Sequence, residues 1–308
     1  MANSNTPPAD IDIGDDLAAH LLSSQFPEMA DLPLQQAANG WDNVMYRLGD
    51  HCALRLPRRE VAAPLIEHEA RLLGELAPML PLLIPTPIKV GKPCKHYPWV
   101  WTIVPWFEGH PVKHDSVLDR TLLAGDLGRF IAALHQPASQ DAPHNPYRGV
   151  PLCQRHEATS VRIKNLADLI DQRAVSQAWE VASSVAPWTG QSLWVHGDLY
   201  PLNMVANNGR LVAVIDFGDL TGGDPATDLM GAWHLFGDQE REVFRTAANT
   251  ETRPIDDAMW ERGRGWAIAH SLDILSASLN HPDLQPLAVT ALERAVGSDC
   301  VNRDRLVT

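Results

Sequence analysis

Asp198, Asn203 and Asp216 are the residues of this 308-residue chain whose types and spacing suit chemistry. They stand in Val195-His196-Gly197-Asp198-Leu199-Tyr200-Pro201-Leu202-Asn203 and in Val214-Ile215-Asp216-Phe217-Gly218-Asp219. A carboxylate is thus followed by a carboxamide five positions on and a second carboxylate eighteen positions on. Phosphoryl transfer needs such a set: a base for the acceptor hydroxyl and two oxygen ligands for magnesium. Mg²⁺ is a hard ion that takes only one or two protein carboxylates and leaves the rest to phosphates and water.

Elements must bring these groups together. Asn203 to Ala206 and Leu211 to Ile215 are short apolar-rich runs around Asn207-Asn208-Gly209-Arg210. Asn-Gly at a two-residue turn is a strong hairpin signal. A turn centred there pairs Asn207 with Arg210 and Asn203 with Val214, so Asn203 and Asp216 emerge at the open end of one hairpin. His196-Gly197-Asp198 enters that hairpin on a loop, with His196 expected to fix the loop by hydrogen bonds. Downstream, Gly223-Asp224-Pro225 starts a helix, with Asp224 as N-cap and Pro225 at the first helical position. Asp228 then faces apolar neighbours and needs donors, which the backbone around His196 can supply. Asp224 and Asp228 read as structural.

Upstream, residues 33–56 and 84–107 read mainly as strands, with a helix over about 61–77 between them. On that helix Leu65, Leu72, Leu73 and Leu76 share one stripe, and Glu69 lies inside it while Glu67, Arg71 and Glu75 do not. An inward carboxylate needs a cation, and the strand His51-Cys52-Ala53-Leu54-Arg55-Leu56 offers Arg55. An Arg55–Glu69 pair would hold a guanidinium beside a phosphate site. From Leu118 onward helical patterns dominate, interrupted by short strands around 193–216. A sheet-rich part joined to a helical part is an α+β layout, with the join near Pro105-Trp106-Phe107-Glu108-Gly109.

Composition narrows the partners. The net charge of −13 argues against nucleic acid and anionic membranes. It is unevenly spread: residues 40–110 carry about +1, whereas His196 to the end holds nine Arg, no Lys and seventeen Asp/Glu. That asymmetry suits polyphosphate on one side and a cationic substrate on the other, or is ordinary solubilising charge. No apolar run approaches the roughly 20 residues that span a bilayer. Residues 1–10 read as a frayed tail without signal-peptide character. Cys52, Cys94, Cys153 and Cys300 show no ligand spacing and read as free thiols of a cytoplasmic protein. His110, His114, His144 and His156 suggest no metal site.

With these parts on the page, the chain resembles the aminoglycoside phosphotransferase family, a branch of the protein-kinase-like fold. The likeness covers roughly residues 33–236. His196-Gly197-Asp198 with Asn203 stands where the kinase catalytic loop carries its His-Arg-Asp and Asn, and Asp216-Phe217-Gly218 matches the kinase metal-binding triplet. The resemblance implies a two-lobed fold: a small antiparallel-sheet N-lobe with one long helix, at 1–107, and a larger, mainly helical C-lobe at 108–308. It implies Asp198 as base, Asn203 and Asp216 as Mg²⁺ ligands, and Arg55 in place of the usual phosphate-binding lysine, set by Glu69. Gly40 to Arg47, with Gly40 and Asn43, would cover the phosphates. The Pro105 carbonyl and Phe107 N–H would meet the adenine edge, since Pro105 has no N–H.

The pattern departs from the family in three places. The phosphate loop has one glycine, so Asp42 or Asn43 side chains are left to shape it. Arg55 replaces a point charge with a planar fork. Tyr200 and Leu202 replace histidine and glycine beside the base, which bears on acceptor access. The expected activity is transfer of the γ-phosphoryl group of ATP or GTP to a small-molecule hydroxyl. An aminoglycoside-like aminosugar is the first choice of acceptor, with a macrolide or a metabolic alcohol as alternative and antibiotic resistance as the corresponding role. The rival class is a catalytically silent nucleotide-binding scaffold, against which intact Asp198, Asn203 and Asp216 argue. The chain is expected to be a monomer or homodimer. Trp99, Trp101 and Trp106 are expected to pack at the lobe junction. Trp233, Trp260 and Trp266 fall on the helical side, either as core or as stacking surfaces. Asp256, Asp257, Glu261 and Asp273 either contact ammonium groups of a polyamine-bearing acceptor or form a solvated helix face.

Overall fold

The computed structural model describes residues 7–112 and 119–306, which leaves His114 and Leu118 outside the described residues. The chain divides into two compact units. The first comprises the described residues through Met79, Leu83–Glu108 and Ala213–Gly218; the second comprises Leu80–Leu82, Gly109–Val212 and the chain from Asp219.

The first unit is built on an antiparallel sheet. Its strands are β1 (Leu34–Asn39), β2 (Asn43–Leu48), β3 (Cys52–Pro57), β4 (Lys89–Gly91) and β5 (Trp101–Pro105), in the order β1-β2-β3-β5-β4. Burial alternates along β2, as period-2 patterning requires of a strand with one covered face. The cover is α1 (Asp15–Gln25), a helix the sequence reading left out; its Ala18, Leu21 and Leu22 pack with Tyr46, Leu54, Leu56 and Ile103. Trp101 sits fully buried in this core, edge-on to Phe26, and so is a core residue of the sheet rather than a junction residue. A side chain at Gly91 would stand 2.0 Å from its indole, so only glycine fits there. The second helix, α2 (Ala63–Leu76), buries Ile66, Leu72, Leu73 and Leu76, with Glu69 among them. At the chain start, Asp10 accepts from the Glu60 N–H at 2.8 Å and the Pro7 carbonyl accepts from Arg58, which ties residues 7–10 down.

The second unit is mainly helical: α3 (Arg120–Leu134), α4 (His156–Asn165), α5 (Gln172–Ser183), α6 (Gly231–Leu235), α7 (Asp238–Ala248), α8 (Asp257–Ser278) and α9 (Gln285–Val296). Small strands β6 (His110–Pro111), β7 (Leu193–Val195), β8 (Met204–Asn207), β9 (Arg210–Val214) and β10 (Thr221–Gly223) complete it, with the last residues of β9 counted in the first unit. Both Asn208 (φ 49°) and Gly209 (φ 77°) are left-handed, as a type I′ turn requires, so the expected Asn-Gly hairpin forms between β8 and β9. Helix α8 runs through the core of this unit; Trp266, Ile268, Leu272 and Leu275 on it are buried, and Trp266 is thereby a packing residue. Among the described residues no helix is long and apolar enough to cross a membrane. The α+β class, with a small antiparallel sheet followed by a helical part, is the fold observed.

Candidate active site

In the first unit the chemistry gathers around Arg55. Strand β3 is central, with Arg55 in register with Met45 on β2 and Thr102 on β5, so its backbone is held on both sides. Its guanidinium is buried and meets Glu69 of α2 in a two-pronged pair: Nη2 donates to Oε1 at 3.1 Å, and Nη1 to Oε2 in a shorter contact. Planar fork on planar carboxylate is the geometry in which Arg differs from Lys. Burial alone would lower the Arg55 pKa, but the charges of Glu69 and then Asp216 outweigh it and hold the group protonated. Asp216 follows β9 in the left-handed region, at φ 63°. That conformation costs a non-glycine residue about 1–2 kcal/mol, and Asp is among the few that visit it readily. Glu69 pairs with the Arg55 guanidinium, and Asp216 adds a second negative charge that stabilises its protonated form.

The turn between β1 and β2 is closed by the Gly40 N–H donating to the Asn43 carbonyl at 2.9 Å. Arginines, rather than further glycines, shape it: Arg58 Nη1 donates to Asn39 Oδ1 at 2.7 Å and to the Gly40 carbonyl at 3.0 Å. Arg59 pairs with Asp42 at 3.1 Å, which removes a bare carboxylate from this turn. Asn43 Oδ1 is buried with no hydrogen-bond partner. At the end of β5, Pro105 is in register with Cys52, the Trp106 N–H donates to the His51 carbonyl at 2.8 Å, and Phe107 follows.

The second unit holds Asp198 on a tightly determined loop. Buried Asp228 accepts from the His196 N–H at 2.9 Å, the Gly197 N–H at 2.8 Å and His135 Nε2 at 3.1 Å. The backbone donors expected for this carboxylate are therefore the ones it uses. Gly197 is left-handed (φ 88°), and a Cβ there would lie 2.8 Å from the Asp219 carbonyl. His196 Nδ1 accepts from the Asp198 N–H at 3.1 Å, which fixes the loop. Asp224 caps the following 3₁₀ turn through the Ala226 N–H and forms a buried pair with Arg262 at 2.8 Å.

Both carboxylate oxygens of Asp198 are engaged. Asn203 Nδ2 donates to Oδ2 at 2.8 Å and to the Asp198 carbonyl at 2.9 Å. Oδ1 lies 2.9 Å from His270 Nε2 and 3.7 Å from Arg148, which also lies 3.4 Å from Asp219. Burial works to raise the Asp198 pKa, but the His270 hydrogen bond and charge, then Arg148 and His196, override it and hold the carboxyl well below the usual carboxylate range. Asp198 is therefore ionised, and its oxygens can only accept hydrogen bonds.

The phosphotransferase enzyme family model (APH) matches residues 33–266, more than half of the chain. The chain belongs to this family. Among curated relatives of the phosphotransferase family, an aminoglycoside 3'-phosphotransferase of Escherichia coli is 25% identical over 134 residues, 42% of this chain and 47% of that protein. The uncharacterized protein YcbJ of Bacillus subtilis (strain 168) is 25% identical over 171 residues, 52% of this chain and 51% of that one. The chain thus spans about half the length of the curated relatives it matches. Solved structures agree on the fold. A GDP and kanamycin complex of APH(2")-IIia aligns with TM-score 0.66 at 17% identity over 91% of this chain and 98% of that one. The apoenzyme of macrolide 2'-phosphotransferase MphH from Brachybacterium faecium gives 0.62 at 24% identity over the same shares.

Sequence reasoning about this family member missed Arg148, His270 and His234. Arg148 and His270 stand 50 and 72 positions from Asp198 in patterns with no motif signal, and only the fold brings them to it. Each of the four late acidic residues singled out has a partner within the chain. Asp256 caps α8 through the Met259 N–H, Asp257 pairs with Arg245 at 2.6 Å, Glu261 with Arg264, and Asp273 with Arg162 and, at 3.7 Å, Arg155. Trp233 and Trp260 stack on one another with ring centres 4.8 Å apart, a packing contact.

Proposed function

We propose that this chain is a small-molecule kinase that moves the γ-phosphoryl group of ATP or GTP to a hydroxyl acceptor. The observation that carries the reading is the Asp198 carboxylate, with one oxygen bound by Asn203 and the other by His270, on a loop tied down by Asp228. A group so held orients the acceptor hydroxyl and receives its proton as the new P–O bond forms. Arg55, aimed by Glu69, offers its guanidinium to the phosphates, and the Gly40–Asn43 turn covers them. The Pro105 carbonyl and Phe107 N–H serve the base of the nucleotide. The oxygen donors that Asn203 and Asp216 each carry are of the type magnesium takes. When bound, Mg²⁺ would neutralise charge on the transferring phosphates.

Either nucleotide is compatible with the relatives, since solved neighbours include a GDP complex and a streptomycin–ATP complex. The acceptor class is an antibiotic hydroxyl, on an aminoglycoside as in the curated relatives or on a macrolide. Such a kinase would act in the cytoplasm, where its donor is, and would confer resistance.

The test is nucleotide-dependent phosphorylation of an aminoglycoside and macrolide panel, read by mass shift, for wild type and Asp198→Ala. Wild type should modify at least one compound, and the variant should be slower by about 10²–10⁴-fold. Absence of acceptor-stimulated nucleotide turnover across the panel would favour the silent scaffold, and equal turnover by Asp198→Ala would remove the assignment of Asp198.

A further inference from the structure

His270 and His234 form a buried pair that the reading above leaves without a task. His270 lies on α8 and His234 on α6, and both are about nine-tenths or more buried, at 5% and 4% exposure. His270 Nε2 is 2.9 Å from Asp198 Oδ1, and its other nitrogen, Nδ1, is 2.9 Å from His234 Nε2. The two rings stand nearly perpendicular, 78° apart, with centres separated by 4.9 Å. The Tyr200 ring packs edge-on against both, at 5.6 Å from His270 and 6.4 Å from His234. Two helices and the catalytic loop thus confine one imidazole against one carboxylate oxygen.

The proton positions follow from donor counting. An ionised carboxylate only accepts, so His270 Nε2 must carry the proton of that contact. Nδ1 of His270 then shares a single proton with His234 Nε2. Burial first, and then the positive neighbours His270, Arg294 and Arg148, hold His234 well below the ordinary imidazole range against the pull of Asp198. His234 is therefore neutral and bears one proton. A neutral His234 backing the far nitrogen locks the His270 ring plane, in the way a second hydrogen bond fixes the tautomer of a functional histidine.

We propose that His270 is the positioning residue of Asp198 in phosphoryl transfer, with His234 holding the His270 ring. This rests on the kinase reading above. His270 touches neither donor nor acceptor in this scheme; it acts through Asp198. Asn203 holds Oδ2 and His270 holds Oδ1, so the carboxylate cannot rotate about its Cβ–Cγ bond. Each oxygen keeps a second lone pair, and the acceptor hydroxyl meets a carboxylate already oriented. Without His270, Oδ1 keeps only its longer contact with Arg148, at 3.7 Å, and the carboxylate is held less firmly. Misplacement of a reacting group by about 1 Å is worth about 100-fold in rate. The Tyr200 side chain, which stands where the family pattern has histidine, gains a purpose as the wall that keeps both rings in place.

The experiment compares His270→Ala, His270→Gln, Asp198→Asn and wild type. Gln can place its amide N–H near the position of Nε2, whereas Ala cannot. His270→Ala should lower kcat about 100-fold with nucleotide KM unchanged, and His270→Gln should recover most of the loss. Long-range ¹H–¹⁵N spectra of histidine-labelled wild type should show His270 protonated at Nε2, with that signal displaced in Asp198→Asn. Urea midpoints separate loss of fold from loss of positioning. Wild-type turnover with an inactive Asp198→Asn establishes the kinase reading by itself. If that holds while His270→Ala turns over like wild type, or Gln and Ala fall equally, the positioning role is overturned. An Nε2 signal indifferent to Asp198→Asn overturns it as well. If wild type transfers phosphate to nothing, the kinase reading falls and takes this role with it.

Discussion

Replacing Glu69 by Gln keeps the shape of the side chain and removes its charge, so it isolates what the carboxylate does for Arg55. The pair is buried, with side-chain exposures of 8% and 3%, so solvent screening does not discount it. Two charge-assisted hydrogen bonds are at stake, each worth about 1.5–3 kcal/mol net. Removing one partner of a buried pair typically costs about 3–5 kcal/mol, because the remaining charge stays desolvated. Asp216 continues to attract Arg55, and the Gln oxygen can still accept one bond, so the expected loss is at the low end, about 3 kcal/mol. Urea unfolding measures it. The companion variant, Arg55→Met with Glu69→Leu, replaces both ions by apolar groups of similar volume and should return to within about 1 kcal/mol of wild type. It should nonetheless bind nucleotide about 10–100-fold more weakly by calorimetry, since a charge-assisted phosphate contact of about 1.5–3 kcal/mol is gone. Stability lost by the single change and regained by the double, without regained affinity, would show the pair to be kept for binding. Glu69→Gln within 1 kcal/mol of wild type, or wild-type affinity in the double variant, would refute the reasoning.

Asp228→Ala leaves two buried N–H groups and His135 without their acceptor, at about 1–3 kcal/mol for each orphaned group. A loss of about 4 kcal/mol in urea unfolding is expected, with Asp228→Asn costing less because one acceptor oxygen survives; a loss under 1 kcal/mol for the alanine variant would count against the loop being tied there. His234 makes stability fall with acid: its folded pKa is depressed by burial and by His270, so below about 6.5 the unfolded chain binds a proton that the folded one does not. The unfolded state then holds more protons, and stability rises with pH at up to about 1.4 kcal/mol per unit from this site. Unfolding free energies of His234→Phe should show a shallower dependence between about pH 6.5 and 5 than wild type, and identical slopes would remove His234 from the acid response.

Local patterns proved legible where short-range physics decides. Asn208-Gly209 specifies a two-residue hairpin turn because both positions must be left-handed, and both are. Glu69 interrupts an apolar stripe, and a carboxylate there must find a cation, which β3 supplies as Arg55. Asp224 before Pro225 is a cap, and Asp228 one turn on takes backbone donors from the His196 loop. Helix α1 escaped because its stripe is short, three buried positions in a polar run, and its energy comes from covering a sheet formed later in the chain. The acidic late helices were open to a cationic-substrate reading because charge can be counted in a sequence, whereas the pairing of Asp257 with Arg245 and of Asp273 with Arg162 depends on how separate elements pack.

The sequence by itself determined the parts of the proposed site: Asp198 on its loop, the oxygen donors Asn203 and Asp216, and the buried cation Arg55 paired with Glu69. It did so because each part sits in a short segment whose turn, cap or periodicity is a local property of the chain. The tertiary structure alone decided what stands against Asp198. His270 and Arg148 reach Asp198, and His234 reaches His270, across dozens of residues and from separate elements. Such contacts depend on how helices α6 and α8 pack around the catalytic loop, and packing is a sum over the whole core that no local pattern encodes.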